Sequence, residues 1–476
     1  MLEKIFKLKE NGTDVKTEVI AGLTTFMTMA YIIALNPNLL TGFTANGGQE
    51  LWNAVFLATC IASAFGTILM AFIANKPFAM SAGMGLNSFF AVVVANIATI
   101  AGVSYLEGFR AGLCIILIEG IVFIILSVLN VREKIVQAIP LGVRLGISPA
   151  IGLMLLNIGF GSNAGVYSET GGPFYAMANF FGSLTASYAK DTMGSGYPVM
   201  VLTVITMFVG LFTIVALDHK KVKGSVLYGI LTGSVIYWAG EYFVLHINPF
   251  ASLATARCLP PFKDMATLTL FKFDFNVLKS LGMFTVVTLV LTFCIIDMFD
   301  TIGTLVGTAS RANMLDENGN MPNMKEALLS DACGTVCGAL TGTSTITTFV
   351  ESASGVEAGG RTGLTSLVTG LIFLACMFIS PIAAVIPAAA TSSALIYVGI
   401  LMLQGLKNID FDDISVCVPV FIMLIAMPIS GSIGHGIGLG LIAYTIIKFI
   451  TGKAKEVSPL TLVLSILFLV KFFFAF

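Results

Sequence analysis

The sequence predicts an all-α polytopic membrane protein in which two sets of seven segments form an inverted repeat. Hydrophobic residues make up 57% of the chain, charged residues make up 11%, and glycine occupies 48 positions. This composition is typical of chains whose helices cross a bilayer. The apolar runs form two series separated by a polar stretch near 244–281. Because an odd number of spans reverses the direction of the chain, the second series has the opposite orientation to the first.

Candidate spans of the first series cover 18–38, 52–73, 78–98, 108–129, 141–159, 198–217 and 224–243. Those of the second series cover 282–306, 327–343, 346–358, 362–384, 390–405, 414–428 and 433–451. We therefore expect about 14 transmembrane segments, with 458–475 as an extra C-terminal apolar segment. Internal similarity supports the repeat, because residues 65–67 and 333–335 share a Gly-Thr pair ahead of a broken segment, and residues 152–155 resemble 399–403.

The positions of Lys and Arg in the short loops predict a cytoplasmic N-terminus. Lys76, Arg132 and Lys220 follow the second, fourth and sixth spans, on the side where the basic residues at the start of the chain also lie. Short cytoplasmic loops are enriched in such residues. Residues 1–9 have no apolar core typical of a signal peptide, so we expect the first span to remain as an anchor.

The third and tenth segments are too short or too rich in glycine to be ordinary transmembrane helices. Residues 76–87 have Pro77 at their entry and two glycines before Asn87. In the tenth segment, the β-branched residues of 346–350 predict a short extended piece, and a helix is expected to begin around Ser352. Extended backbone at membrane depth is tolerated only inside protein or beside a cavity. Paired breaks of this kind indicate a transport site for a polar, planar ligand, held by helix N-termini and backbone N–H groups.

Three carboxylates lie in stretches that are otherwise apolar enough to cross a bilayer. Asp297 and Asp300 are the charged residues of the run 280–310, and their i,i+3 spacing places both on one side of a helix. Glu351 follows the hydroxyl-rich run 341–348. An Asp at the centre of a bilayer costs about 2.5 kcal/mol or more on insertion scales, so such a residue indicates a substrate or proton site.

Four stretches, residues 17–31, 83–87, 297–304 and 343–363, closely resemble the AzgA-like purine permeases, a branch of the xanthine/uracil permease superfamily. The resemblance implies proton-coupled uptake of adenine, guanine or hypoxanthine across the cytoplasmic membrane by alternating access, without a cofactor. It also implies two domains, a core at 18–129 and 282–384 and a gate at 141–243 and 390–451. Gate-domain dimers occur among such relatives, so the resemblance is compatible with a homodimer through the gate domain, while the sequence itself does not give the oligomeric state.

The resemblance implies substrate-binding residues in the third, eighth and tenth segments: Glu351, Asp300, Asn87, Gly83, Gly85, Phe349, Val350, Ser352 and Thr304. Proton coupling is expected from Asp300, Asp297 and Glu351. Asp331 matches a ninth-span acid that braces the core or the gate. The uracil-type branch has a histidine at the position of Thr304, so a histidine-based proton relay is not implied for this chain.

Several of these roles have structural alternatives. A hydrogen bond between helices also accounts for Asp300, and Asp297 either supports Asp300 or faces water at a cavity mouth. Asn87 also fits a capping role, because Asn closes glycine turns by bonding the backbone. Phe349 fits plain packing as well as a contact with a base.

Other classes of function are weighed against purine uptake. A transporter of xanthine or uracil, or an anion transporter or channel of the same architecture, fits the same spans, although buried acids argue against an anion site. A membrane-embedded enzyme requires a nucleophile with its base or metal ligands, and the sequence contains no HExxH, GxSxG or His cluster. We therefore predict a non-enzyme without a metal site. The lack of a basic patch argues against nucleic acid as a partner.

Overall fold

The computed structural model describes residues 2–42, 46–129, 140–163, 197–222, 224–251, 259–311, 314, 321–430 and 433–474. The chain divides into two compact units. Unit 1 comprises Met1–Pro140, Leu259–Ser380 and Gly452–Phe476, and unit 2 comprises Leu141–Cys258 and Pro381–Thr451. The core and gate domains stay predictions, and Arg132, which contributed to the orientation above, lies outside the described residues.

The elements before residue 130 are α1 (Leu2–Phe6), α2 (Val15–Met29), α3 (Ile32–Leu40), α4 (Gly48–Leu69), β1 (Met80–Ala82), α5 (Met84–Ala101) and α6 (Tyr105–Val128). The next are α7 (Leu141–Ile158), α8 (Tyr197–His219), α9 (Ser225–Phe243), α10 (Phe262–Leu268), α11 (Phe275–Ser280), α12 (Met283–Arg311), α13 (Met324–Thr341) and β2 (Ile346–Thr348). The last are α14 (Ser352–Glu357), α15 (Gly363–Cys376), α16 (Ser380–Ala384), α17 (Ala388–Leu403), α18 (Ile414–Ser430), α19 (Ile433–Ile450) and α20 (Pro459–Phe474). Short π-helical turns follow α4 and α7, at Met70–Ala74 and Gly159–Asn163.

Eight helical stretches in the described part of the chain are long and apolar enough to cross a membrane. Shorter apolar helices lie at Met283–Met298, Ile414–Ser430, His435–Ile450 and Pro459–Val470. The predicted helical, polytopic fold is therefore confirmed. The predicted number of 14 segments is not confirmed by these helices.

The first predicted span, 18–38, consists of two consecutive helices that meet at Tyr31. Asp14 caps the start of α2, since its carboxylate accepts the backbone N–H groups of Lys16 and Thr17 at 2.8 and 3.0 Å. The hydrogen bond from the Thr17 backbone lowers the pKa of the exposed Asp14 carboxyl. Together, α2 and α3 give an apolar stretch of 26 residues, Val15–Leu40, which is long enough to span a bilayer.

The strands β1 and β2 form an antiparallel pair inside unit 1. The register pairs Met80 with Thr348, Ser81 with Thr347 and Ala82 with Ile346. This pairing confirms the extended pieces predicted in the third and tenth segments. Thr67 of α4 accepts the Met80 N–H at 2.9 Å, and Thr335 of α13 donates to the Ile346 carbonyl at 3.0 Å. Hydroxyl groups from the two matching Gly-Thr pairs thus satisfy backbone groups of both strands.

In unit 2, α7 and α17 approach closely at Gly152 and Gly399. A Cβ atom added to either glycine would lie 2.7 Å from the carbonyl oxygen of the other. Small residues permit helix backbones to come this close. Both glycines belong to the similar stretches 152–155 and 399–403, so the contact joins corresponding parts of the two halves of the sequence.

Replacing Gly152 with Ala is expected to destabilise the protein by about 1–3 kcal/mol, because the added methyl group overlaps a backbone oxygen that cannot move independently. Thermal unfolding of the detergent-solubilised protein would measure the change as a lower melting temperature. Ala216→Val, on an exposed part of α8, is the control for added volume. A Gly152→Ala variant that melts with the parent protein would contradict the close approach.

Candidate functional site

Glu351 lies between β2 and α14, at the N-cap position of that helix. The hydroxyl group of Tyr31 donates a hydrogen bond to Glu351 Oε1 at 2.5 Å. Thr28 Oγ1 lies 3.4 Å from the Glu351 carbonyl oxygen and 2.8 Å from the Thr25 carbonyl oxygen, so its one proton has both acceptors within reach. The contact between Tyr31 and Glu351 is at the short end of the range for O–H···O hydrogen bonds. The segment around the break between α2 and α3 therefore contacts both the side chain and the backbone of Glu351.

Asn87 joins the first turn of α5 to both extended segments. Its Nδ2 donates to the Ala82 carbonyl at 3.1 Å, and its Oδ1 accepts a hydrogen bond from the Ser344 hydroxyl. The side chain is fully buried. The bond to the Ala82 carbonyl is the contact with backbone that the structural alternative for Asn87 supposes, and the predicted contact of Asn87 with substrate stays a prediction.

Gly83 brings the start of α5 next to Asp300. A Cβ atom on Gly83 would lie 2.5 Å from Thr347 Cγ2 and 3.6 Å from Asp300 Oδ2. No side chain caps α5 at this end, and the amide of Gly85 belongs to the first turn. A helix N-terminus is a region of positive potential, so it complements the Asp300 carboxylate.

Asp297 and Asp331 form an acidic cluster around the hydroxyl group of Thr301, which also contacts Thr347 of β2. Thr301 Oγ1 lies 3.2 Å from Asp297 Oδ1, 3.0 Å from Asp331 Oδ1 and 2.7 Å from Thr347 Oγ1. Both aspartates are fully buried. The single proton of Thr301 can be donated to one of these oxygens at a time. Asp297 and Asp331 therefore share one donor.

The remaining predicted residues are placed around the same junction. Phe349 is buried and its backbone N–H donates to the Ala79 carbonyl at 3.0 Å. Ser352 Oγ accepts the Ala79 N–H at 3.0 Å, so this hydroxyl joins the start of α14 to the residue before β1. Val350 is 47% exposed, and Thr304 is partly buried one turn after Asp300. The roles of all these residues in binding stay predictions.

Asp297 and Asp300 belong to α12, and Glu351 stands at the start of α14. Thr301 contacts both Asp297 and Asp331, and Gly83 lies beside Asp300. The structure therefore places the three predicted carboxylates within unit 1, around the two extended segments.

Three residues important to this region were not among the predicted site residues: Tyr31, Glu18 and Glu119. Glu119 of α6 is fully buried, and its Oε2 accepts a hydrogen bond from Thr345 Oγ1 at 3.0 Å. It is the charged residue of the apolar run 111–131. The criterion that selected Asp297 therefore also applies to Glu119.

The hydroxyl-rich run 341–348, which includes β2, contacts four helices of unit 1. Its contacts join Thr343 to Asn36, Ser344 to Asn87, Thr345 to Glu119 and Thr347 to Thr301. The partners lie on α3, α5, α6 and α12. Unit 1 therefore holds an extended backbone rigidly beside carboxylate acceptors and a helix N-terminus, which complements the polar edge of a planar ligand.

Two bacterial relatives match almost the whole chain. The adenine permease AdeP of Escherichia coli (strain K12) is 36% identical over 476 residues, which cover 100% of this chain and 96% of that protein. The guanine/hypoxanthine permease PbuO of Bacillus subtilis (strain 168) is 37% identical over 473 residues, which cover 98% of this chain and 100% of that protein.

Two solved structures show a similar fold at low sequence identity. The transmembrane domain of the cyanobacterial bicarbonate transporter BicA gives a TM-score of 0.61 at 13% identity, covering 88% of this chain and 97% of that chain. The structure of SLC26A9 gives 0.62 at 11% identity, covering 92% of this chain and 66% of that chain. These similarities concern the fold alone.

The family model Xan_ur_permease, described as "Permease family", matches residues 16–433. Its name and those of the two relatives identify transporters and not enzymes. The chain is a multi-pass membrane protein and belongs to this permease family.

Proposed function

We propose that this permease takes up purine nucleobases, namely adenine, guanine or hypoxanthine, together with protons by alternating access. The observation that carries the proposal is Glu351, held by Tyr31 at 2.5 Å where β2 gives way to α14. The names of AdeP and PbuO support purines as the substrate class. The proposal includes a cytoplasmic membrane location, a cytoplasmic N-terminus and a homodimer formed through the gate domain.

Substrate recognition follows from the hydrogen-bonding groups of a purine. A neutral purine presents ring N–H donors and ring nitrogen acceptors along a flat edge. Because Tyr31 contacts Oε1 of Glu351, a ring N–H can approach the second carboxylate oxygen. Backbone N–H groups of the uncapped first turn of α5, at Gly85, would face the ring acceptors. In this proposal Phe349 and Val350 flank the base, and Ser352 and Thr304 complete the surroundings.

Proton coupling is assigned to Asp300, with Asp297 and Glu351 in support. Holding several carboxylates close together away from water is costly unless the group carries a proton. A purine that donates an N–H to Glu351 favours the ionised form of that residue, so the proton is best carried by Asp300. Protonation and substrate binding would then stabilise the same state, as symport requires.

Glu351→Gln is expected to reduce purine uptake at least about 100-fold, because it replaces a charged acceptor of the base with a neutral amide. Uptake of radiolabelled hypoxanthine in a permease-deficient host would measure the loss, with expression checked by immunoblot. Glu357→Gln, exposed on the same helix, is the matched control. Wild-type uptake by Glu351→Gln would remove this residue from the site.

Uptake by the parent protein is expected to rise as the external pH falls and to collapse with a protonophore, since protons are a co-substrate. Asp300→Asn should abolish this pH-dependent uptake, because the neutral side chain cannot exchange the proton. Asp410→Asn, exposed in unit 2, should behave like the parent. Accumulation that ignores the protonophore would argue against proton symport.

Competition experiments separate purine uptake from the alternative substrates. Unlabelled adenine, guanine and hypoxanthine are expected to compete for hypoxanthine uptake at least about tenfold more strongly than uracil or xanthine, a difference of about 1.4 kcal/mol. Bicarbonate and chloride should have no effect, because the site is lined by carboxylates. Competition by uracil or xanthine equal to that by hypoxanthine would indicate a different nucleobase.

A further inference from the structure

A fully buried carboxylate in the first turn of α2, Glu18, has no part in the transport scheme above. Its Oε1 accepts the backbone N–H of Arg361 at 2.8 Å. Its Oε2 accepts the backbone N–H groups of Thr362 and Thr365 at 3.3 and 3.1 Å, and the Thr365 hydroxyl at 2.7 Å. A buried charge is costly unless it is compensated in this way. The four donors belong to residues 361–365, so Glu18 binds the segment that leads into α15.

Glu18 completes the N-terminus of α15. The first four N–H groups of a helix have no partner within the helix. Here two of them donate to Glu18, while Gly363 N donates to Asn75 Oδ1 at 2.8 Å and Leu364 N donates to Thr362 Oγ1 at 3.3 Å. A carboxylate at this end also interacts favourably with the helix dipole. The start of α15 is therefore fixed to α2.

The same attachment reaches the end of α14 through Arg361. Its Nη1 donates to the carbonyl groups of Val356 and Gly360, at 2.6 and 2.8 Å. Since the backbone of Arg361 donates to Glu18, α14 is tied at its C-terminal end to the first turn of α2. Glu351, the proposed substrate ligand, stands at the opposite end of α14.

Between these two ends, α14 lies directly against α2. A Cβ atom on Gly355 would lie 2.8 Å from the Ala21 carbonyl oxygen and would also collide with Thr25. Just beyond the C-terminal end of α2, Tyr31 contacts Glu351. The two helices are thus connected near both ends and in close contact in the middle, which favours one register for α14 on α2.

We propose that Glu18 is a positioning residue that sets this register and thereby holds Glu351 at the hydroxyl group of Tyr31. A helix that slips by one residue moves by about 1.5 Å, which is enough to break a hydrogen bond of 2.5 Å. Glu18 itself does not touch substrate. The inference rests on the proposed function, because it assumes that Glu351 binds the base.

A double-mutant cycle tests the inference, because it measures whether two residues act through the same contact. Glu18→Gln keeps the shape of the side chain but turns an amide group toward backbone N–H donors. We expect this variant to raise the KM for hypoxanthine about tenfold, with a smaller change in kcat. In a Tyr31→Phe background, the same substitution should raise KM less than about threefold, since the contact that Glu18 aligns is already missing.

Equal fold-changes of KM in the two backgrounds would overturn the inference and leave Glu18 as an anchor of α15 only. Glu50→Gln, an exposed glutamate at the start of α4, is the control and should leave KM unchanged. If Glu18→Gln does not accumulate, Thr365→Val takes its place in the cycle. It removes one hydroxyl donor to Glu18 while keeping the volume of the side chain, so it should show the same pattern at smaller size, and additivity would again overturn the inference.

The Glu351→Gln variant separates this inference from the proposed function. If Glu351→Gln takes up hypoxanthine like the parent, the proposed site is wrong, and the positioning role falls with it. If Glu351→Gln is inactive and the cycle is additive, only the role of Glu18 is overturned. An inactive Glu351→Gln variant together with a non-additive cycle supports both.

Discussion

The antiparallel pairing of β1 with β2 is the constraint on which the rest of unit 1 depends. Backbone N–H and C=O groups at membrane depth must find partners inside the protein. Strands of three residues satisfy few of these groups by themselves, so neighbouring helices supply the others. Thr67 and Thr335 bond the strand backbones, and polar side chains of the run 341–348 bond four further helices. The helices are thereby fixed around the extended segments.

The site draws its acids from several parts of the sequence because the extended segment is short and contacts many elements. Glu351 comes from the start of α14, where Tyr31 contacts it, Asp300 comes from α12 and Glu119 comes from α6. Glycine permits this convergence at Gly83, where any side chain would occupy the space beside Thr347 and Asp300. The acidic side chains of unit 1 therefore come together because the backbone at β1 and β2 is extended and not helical.

The sequence was informative wherever a pattern is local. The β-branched residues of 346–350 predicted an extended piece, where β2 lies, and the helix expected to begin around Ser352 is α14. The partner of Glu351 could not be predicted, because Tyr31 lies 320 residues away in the chain and no local pattern encodes such a contact. Glu119 could have been selected by its apolar surroundings. Glu18 lies at the end of a span, where a glutamate is usually solvated, so only the fold reveals its burial.

Short apolar helices such as α18 and α20 explain why the number of spans was harder to predict than the fold class.

The reciprocal contact between Gly152 and Gly399 has the form of an isologous interface, in which residue i meets j and j meets i. Such self-complementary contacts normally occur between two identical subunits. Here they occur within one chain, between stretches that still resemble each other. At this contact unit 2 thus has the reciprocity of a twofold interface, as expected if the chain arose by fusion of two copies of a shorter ancestor. A side chain added in either stretch would meet the backbone of the other, so each glycine limits what the other position can hold.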